Sequence, residues 1–178
     1  AAIIGMQLSY YIRLLGYDAR NHMNANFLVV LPLVARDAGL GEIGRNSILT
    51  TKQYGSRVRL GVVTTELELI PDEPVEFGLQ RFCELCGLCS KTCPGKAISN
   101  SKRTVIDGHS RWQTHQENCY GTWRNIGTDC GICISSCPFS QGIEDDAIND
   151  ERIQEILKKH KETYGIRPYI REAPEWLK

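Results

Sequence analysis

The strongest constraint on this sequence is its eight cysteines, which fall into two spaced sets. Cys83, Cys86, Cys89 and Cys93, followed by Pro94, read CxxCxxCxxxCP without departure. Three thiolates on so tight a loop can hold three corners of an iron-sulfur cube. The fourth cysteine, before a proline that opens a helix, points toward a second cluster. A second set is therefore demanded, and Cys119, Cys130, Cys133 and Cys137 with Pro138 supply it. It too ends CxxCxxxCP, with ten residues in place of the usual two between its first two members. Zinc knuckles also use CxxC pairs, but zinc takes four ligands and needs neither a third closely spaced thiolate nor a paired CxxxCP. Disulfides between cysteines three apart would close small, strained rings, and a chain of 178 residues can build a core without staples. This part of the chain thus reads as a carrier of electrons. Leu85, Leu88, Ile132 and Ile134 would give its clusters an apolar wall while also serving as ordinary core.

The rest of the chain reads as α+β. In AAIIGMQLSYYIRLLGYDAR, the residues Ile4, Leu8, Tyr11, Ile12 and Leu15 recur at helical spacing and Gly16 supplies a stop, which predicts a helix with a buried face. It opens without an initiator Met, a basic leader or a signal layout, as expected of a segment of something longer. NHMNAN suits a loop, and FLVVLPLVARDAG suits a buried strand passing into a short helix closed by Gly39. Gly39, Gly41 and Gly44 of GLGEIGRN allow either an ordinary helix-to-strand turn or the close approach of a bound cofactor. SILTT and VRLGVVTTELEL, with Tyr54-Gly55-Ser56 between them, read as an antiparallel pair. IPDEPVEFG reads as a surface connector. From about residue 143 to 164, a helix is expected to pack through Ile148, Ile153, Ile156, Leu157, His160 and Tyr164. Glu144 to Asp146 before it and Lys158, Lys159 and Lys161 late in it suit the helix dipole. His22 and His109 read as ordinary loop residues. The chain divides into an α+β region over 1–80, a cysteine-rich module over 81–142, and a helix with a tail over 143–178.

Composition removes some partners. Basic and acidic side chains balance at 21 each, so there is no global cationic field and no nucleic-acid partner is expected. The longest strongly apolar stretch, Phe27 to Ala35, carries Pro32 and falls well short of the roughly 18 residues that span a bilayer.

The cysteine module resembles two-cluster ferredoxins. That resemblance implies an interleaved ligand set, with Cys83, Cys86, Cys89 and Cys137 on one 4Fe-4S cluster and Cys93, Cys119, Cys130 and Cys133 on the other. The wider sequence resembles the C-terminal half of a corrinoid-dependent reductive dehalogenase. RDAGLGEIGRNSILTTKQYGSRVRLGVVTTELELIPDEPVEFG, FCELCGLCSKTCPGKAI, CYGTWRNIGTDCGICISSCPFSQG and the terminal PEWLK carry it in order. Epoxyqueuosine reductases share the glycine-rich stretch and both cysteine sets, but are associated with Trp and Lys where this chain has Glu42 and Arg45.

The resemblance implies the second half of a nitroreductase-like corrinoid-binding core, followed by a ferredoxin-like module with two 4Fe-4S clusters. It implies reductive removal of halogen from a small organohalide at a corrinoid cobalt of the cobalamin type. Electrons would come from a low-potential donor, with a membrane-anchor subunit as a possible partner. Carried over by register, the family's pocket asparagine falls on Asn26, with Asn24 competing, and its pocket arginine on Arg59, with Arg57 competing. Gly39, Gly41 and Gly44 would lie against the corrinoid. The proton-donating tyrosine is expected upstream of Ala1, and Tyr10 and Tyr11 are poor stand-ins. A Tat signal in the parent would place the protein on the outer face of the cell membrane, and its absence would leave it cytoplasmic. The alternatives are an epoxyqueuosine reductase-like corrinoid enzyme and a pure electron-transfer ferredoxin subunit.

Overall fold

A computed structural model describes residues 1–23, 26–106, 108–141, 143 and 149–165. Helix α1 spans Ala2–Leu14 and is followed by strand β1, Ala19–His22. Helix α2, Leu31–Asp37, has a proline in its first turn, where a missing N–H costs nothing. The short strands β2, Glu42–Ile43, and β3, Leu49–Thr50, pair with each other across the glycine-rich turn. Strand β4, Val62–Thr65, pairs antiparallel with β1.

Several expectations are corrected here. SILTT and VRLGVVTTELEL do not pair: the first contributes β3 to the glycine-rich hairpin, and the second contributes β4 to a ladder with residues read as loop. His22 is accordingly no loop residue. It is buried, and its Nε2 bonds Thr64 Oγ1 at 2.9 Å while Nδ1 accepts from the Leu28 amide at 3.3 Å. Residues 27–30 form no strand. Helix α1 forms as expected, but its apolar face is not buried, with Ile4 69% and Leu15 52% exposed and only Gly5 and Ile12 buried.

Helix α3, Leu79–Cys86, begins the cysteine-rich part and is joined by Gly87 to α4, Leu88–Thr92. A hairpin of β5, Thr104–Ile106, and β6, His109–Arg111, precedes α5, Gln116–Ile126. Helix α6, Ile132–Ser135, leads to a 3₁₀ turn at Pro138–Gln141. Helix α7, Asp150–Tyr164, is capped by Asn149, whose side chain accepts from the Arg152 amide. Ile148, Glu144 to Asp146 and the side chain of Tyr164, all assigned to this last element from sequence, lie outside the described residues. Among the described residues the architecture is a mixture of helices with three two-stranded antiparallel sheets. Among the described residues no helix is long and apolar enough to cross a membrane.

The main core joins α3 to α7. Leu79, Phe82, Phe139, Ile143 and Ile153 are buried together, with Cys83, Cys86, Cys137, Ile156 and Leu157 packed against them. Phe82 and Phe139 meet edge to face with centroids 4.9 Å apart. Each such buried ring contributes about 1.5–3 kcal/mol. As expected, α7 serves packing, and it stands behind the cysteines.

Candidate metal centre

All eight cysteines are free thiols and half-buried. Each set is shaped by the same local device. In Cys86-Gly87-Leu88-Cys89 the middle glycine has φ +62°, and in Cys130-Gly131-Ile132-Cys133 it has φ +65°. That left-handed conformation, cheap only for glycine, breaks the helix and turns the next cysteine back toward its neighbour. The two repeats also touch: α4 packs on α6, and Thr92 Oγ1 donates to Ser136 Oγ at 3.0 Å. Those residues immediately precede Cys93 and Cys137, so the CxxxCP loops meet at equivalent positions.

The sulfurs sort into two groups by proximity. Cys83 and Cys86 each feel the charge of Cys137, and Cys89 feels Cys83, Cys86 and Cys137. In the second group Cys119 feels Cys93 and Cys130, and Cys133 feels Cys119, Cys130 and Cys93. Cys89 and Cys133 bring the groups within electrostatic reach of one another. The members are therefore drawn from both sequence motifs. Cys119 stands on α5, and the first part of the long insert after it continues that helix to Ile126.

Metal-free thiols in such company resist ionisation. Burial pushes Cys83 and Cys86 up to about 12 and Cys133 to about 11, and neighbouring thiols push the same way. Burial also raises Cys89, Cys119 and Cys137. For Cys137 the backbone of Phe139 and Ser140 opposes the rise by hydrogen bonding. Thiolate ligation by iron would displace these protons and relieve the crowding. Among the described residues no three His, Cys, Asp or Glu side chains are set to hold a single metal ion. A cube makes no such demand, since each thiolate takes a different iron. Eight thiols in two groups of four are a donor set that fits two such cubes.

Two charged residues of the glycine-rich stretch, Glu42 and Arg45, anchor this centre. Glu42 is buried, and its Oε2 accepts from the Phe77 amide at 2.8 Å and the Leu79 amide at 3.1 Å. Arg45 is buried too. Its Nε and Nη2 donate to the Cys83 carbonyl at 3.2 and 3.0 Å, and its Nη1 donates to the carbonyls of Ser99 and Ser101 at 3.0 Å each. Its guanidinium lies 4.6 Å from the Trp112 ring centroid. From sequence these residues served only to separate two families. Their burial and their structural role become visible only in the fold.

The three glycines make close approaches within the chain. A Cβ on Gly39 would meet the Glu73 carbonyl at 2.5 Å, one on Gly41 the Thr50 carbonyl at 2.3 Å, and one on Gly44 the Asn46 side chain at 2.9 Å. Gly44 also borders a cleft of about 750 Å³, whose walls include Pro32, Glu42, Val75, Arg103 and Trp112. Trp112 Nε1 is a buried donor with no partner among the described residues. The exposed His109 of β6 borders this cleft as well. Asn26 and Arg59 are both exposed and neither borders it. Asn26 accepts from Arg20 Nη2 at 3.0 Å, while Arg59 and its competitor Arg57 are exposed in the stretch before β4. Asn24 lies outside the described residues.

A family model described as a 4Fe-4S dicluster domain matches residues 82–141. The tetrachloroethene reductive dehalogenase of Sulfurospirillum multivorans is 38% identical over 144 residues, covering 77% of this chain and 28% of that protein. A catabolic reductive dehalogenase, NpRdhA, solved with 3-bromo-4-hydroxybenzoic acid, superposes with a TM-score of 0.79 at 28% identity, covering 90% of this chain and 26% of that one. An epoxyqueuosine reductase from Streptococcus thermophilus superposes at 0.59 with 27% identity, covering 92% of this chain and 47% of that one. The dehalogenases are oxidoreductases, and this chain spans about a quarter of the length of those it matches. By sequence and by fold together, this chain is an iron-sulfur homologue of one stretch of the reductive dehalogenases.

Proposed function

We propose that this chain is the electron-delivering region of a corrinoid-dependent reductive dehalogenase, together with the second half of its nitroreductase-like core. In this reading Cys83, Cys86, Cys89 and Cys137 hold one 4Fe-4S cluster, and Cys93, Cys119, Cys130 and Cys133 hold the other. Residues 1–80, 81–142 and 143–178 are its working divisions. The observation that carries it is the grouping of thiols across the two sequence motifs. When bound, the clusters would pass single electrons and the corrinoid cobalt would use two of them to turn R–X into R–H, with one proton taken up and halide released.

The chain's own residues would act as holders and shapers. The thiols give up their protons to take iron. Gly44 and the unpaired Trp112 Nε1 would hold an edge of the corrinoid, while Gly39 and Gly41 shape the turn behind them. Asn26, its amide oxygen held by Arg20, and Arg59 would face the substrate pocket, and a tyrosine in sequence preceding Ala1 would donate the proton. The substrate is a small organohalide, the donor a low-potential one, and a membrane anchor is a further partner of a parent exported by a Tat signal. The better superposition on the dehalogenase, 0.79 against 0.59, favours this reading over an epoxyqueuosine reductase.

Anaerobic reconstitution of the chain should load about eight irons and as many sulfides. The parent polypeptide, supplied with a corrinoid and a low-potential donor, should release halide from an organohalide. Zinc in place of iron, or about half the iron, would defeat the two-cluster reading. Full clusters with no halide release would defeat the dehalogenase reading alone.

A further inference from the structure

We propose that Arg45 is a built-in counter-charge for the cluster of the Cys83 set, raising that cluster's reduction potential above what its four thiolates alone would give. The inference rests on the two-cluster reading above. Among the described residues Arg45 is the one buried lysine or arginine, at 5% exposure. All four of its side-chain hydrogen bonds run to carbonyl oxygens, two of them to Cys83. None of the ion pairs among the described residues involves it. The buried Glu42, three positions earlier, spends its Oε2 on the amides of Phe77 and Leu79.

A guanidinium withdrawn from water without an anion is costly unless something nearby carries negative charge. Four thiolates around an iron-sulfur cube provide that charge. The placement is specific to one set, because the guanidinium grips the backbone of Cys83 itself and Arg45's own amide faces the Cys83 thiol. Lys91 donates to the Cys86 carbonyl at 3.5 Å and adds a second positive charge to the same set, from an exposed position rather than a buried one. The Trp112 ring closes the other side of Arg45 and keeps water away from the charge.

A cation beside an anionic redox centre favours the more negative, reduced state. When one electron passes from the cluster of the Cys93 set to that of the Cys83 set, no bond breaks and no proton moves, because arginine stays protonated. The added negative charge arrives next to Arg45. The two clusters would thus differ in potential, with the Cys83 cluster the better acceptor.

The test is a potentiometric titration of the anaerobically reconstituted full chain, followed by EPR. R45Q should move one of the two reduction waves to lower potential by about tenfold in its equilibrium constant, about 59 mV for one electron, and leave the other in place. R45K, which keeps the charge, should move it less. Ser101 is exposed and its carbonyl accepts from Arg45, so S101D adds a negative charge on a residue that the guanidinium contacts, without touching its bonds to Cys83. S101D should lower the same wave, and it decides the question if R45Q fails to hold iron. Waves unmoved in R45Q or S101D, or a shift as large in R45K as in R45Q, would overturn the inference. Iron and sulfide measured on the same wild-type sample report separately on the two-cluster reading: a shortfall there defeats that reading, while full loading with unmoved waves defeats only the role of Arg45.

Discussion

The backbone amide of Leu79 donates to Glu42 Oε2 at 3.1 Å, and this places a carboxylate of the glycine-rich turn on the first amide of helix α3. The negative charge also meets the positive end of the helix dipole. Replacing Glu42 by Ala leaves the amides of Phe77 and Leu79 without their acceptor. The expected loss is about 3 kcal/mol of stability for the iron-loaded chain, with E42Q losing less. Urea unfolding under anaerobic conditions measures both, and equal midpoints for E42A and wild type would remove Glu42 from its capping role.

Phe139 lies two residues after Cys137 and is 1% exposed, with Phe82 against one side and Phe77, 5.7 Å away by centroid, on another. F139A should cost about 3–5 kcal/mol through lost burial and the cavity left behind. Because the same core supports Cys83, Cys86 and Cys137, the variant should also release iron faster to a chelator. Normal iron retention in a strongly destabilised F139A would separate the core from the metal centre.

Ion pairs tie α3 to its surroundings at the surface. Arg81 Nε donates to Asp150 Oδ1 at 2.8 Å, linking α3 to the start of α7, and Arg103 pairs with Glu84. Hydrogen bonding from Arg81 lowers the Asp150 carboxyl, and hydrogen bonding chiefly from Arg103 lowers Glu84. Groups lowered on folding add stability that is full above the ordinary carboxylate range and is lost as pH falls through their lowered values. Both sites are exposed, so the effect should be small and weaker in salt. Unfolding midpoints of wild type and D150N should converge as pH drops into the acid range; a gap that persists there would contradict the pairing.

Interleaving makes an unusual demand on variants. Cys137 belongs to the second motif in sequence yet groups with Cys83, Cys86 and Cys89. C137S should therefore abolish the reduction wave that Arg45 variants move, whereas C93S should spare that wave and remove the other. The same EPR titration reads this, and the reverse pattern would show that each motif holds its own cluster.

The cysteine pattern was legible because ligation sets spacing regardless of context. Strand pairing was not. β4 and β3 are both short, and periodicity over two to four residues cannot say which partner each will take. The true partner of β4, containing Asn21 and His22, looked like loop because its polar side chains find partners only in the folded chain. In α1 the spacing of Ile4, Leu8 and Leu15 gave the helix, but spacing cannot supply a surface to cover the face. In GLGEIGRN the glycines drew attention to the backbone, while Glu42 and Arg45 between them carried the contacts that hold the cysteine loops. Asn26 and Arg59 came from resemblance alone, and nothing in local pattern marks them.

The grip of Arg45 on three carbonyls has a practical corollary for anyone trimming the molecule. A recombinant fragment beginning at Phe82, where the dicluster family match starts, would keep every sulfur but forfeit the side chain clasping residues 83, 99 and 101 and the carboxylate seated on the preceding amides. A fragment meant to keep those contacts therefore has to start upstream of Glu42, some forty residues before its first ligand.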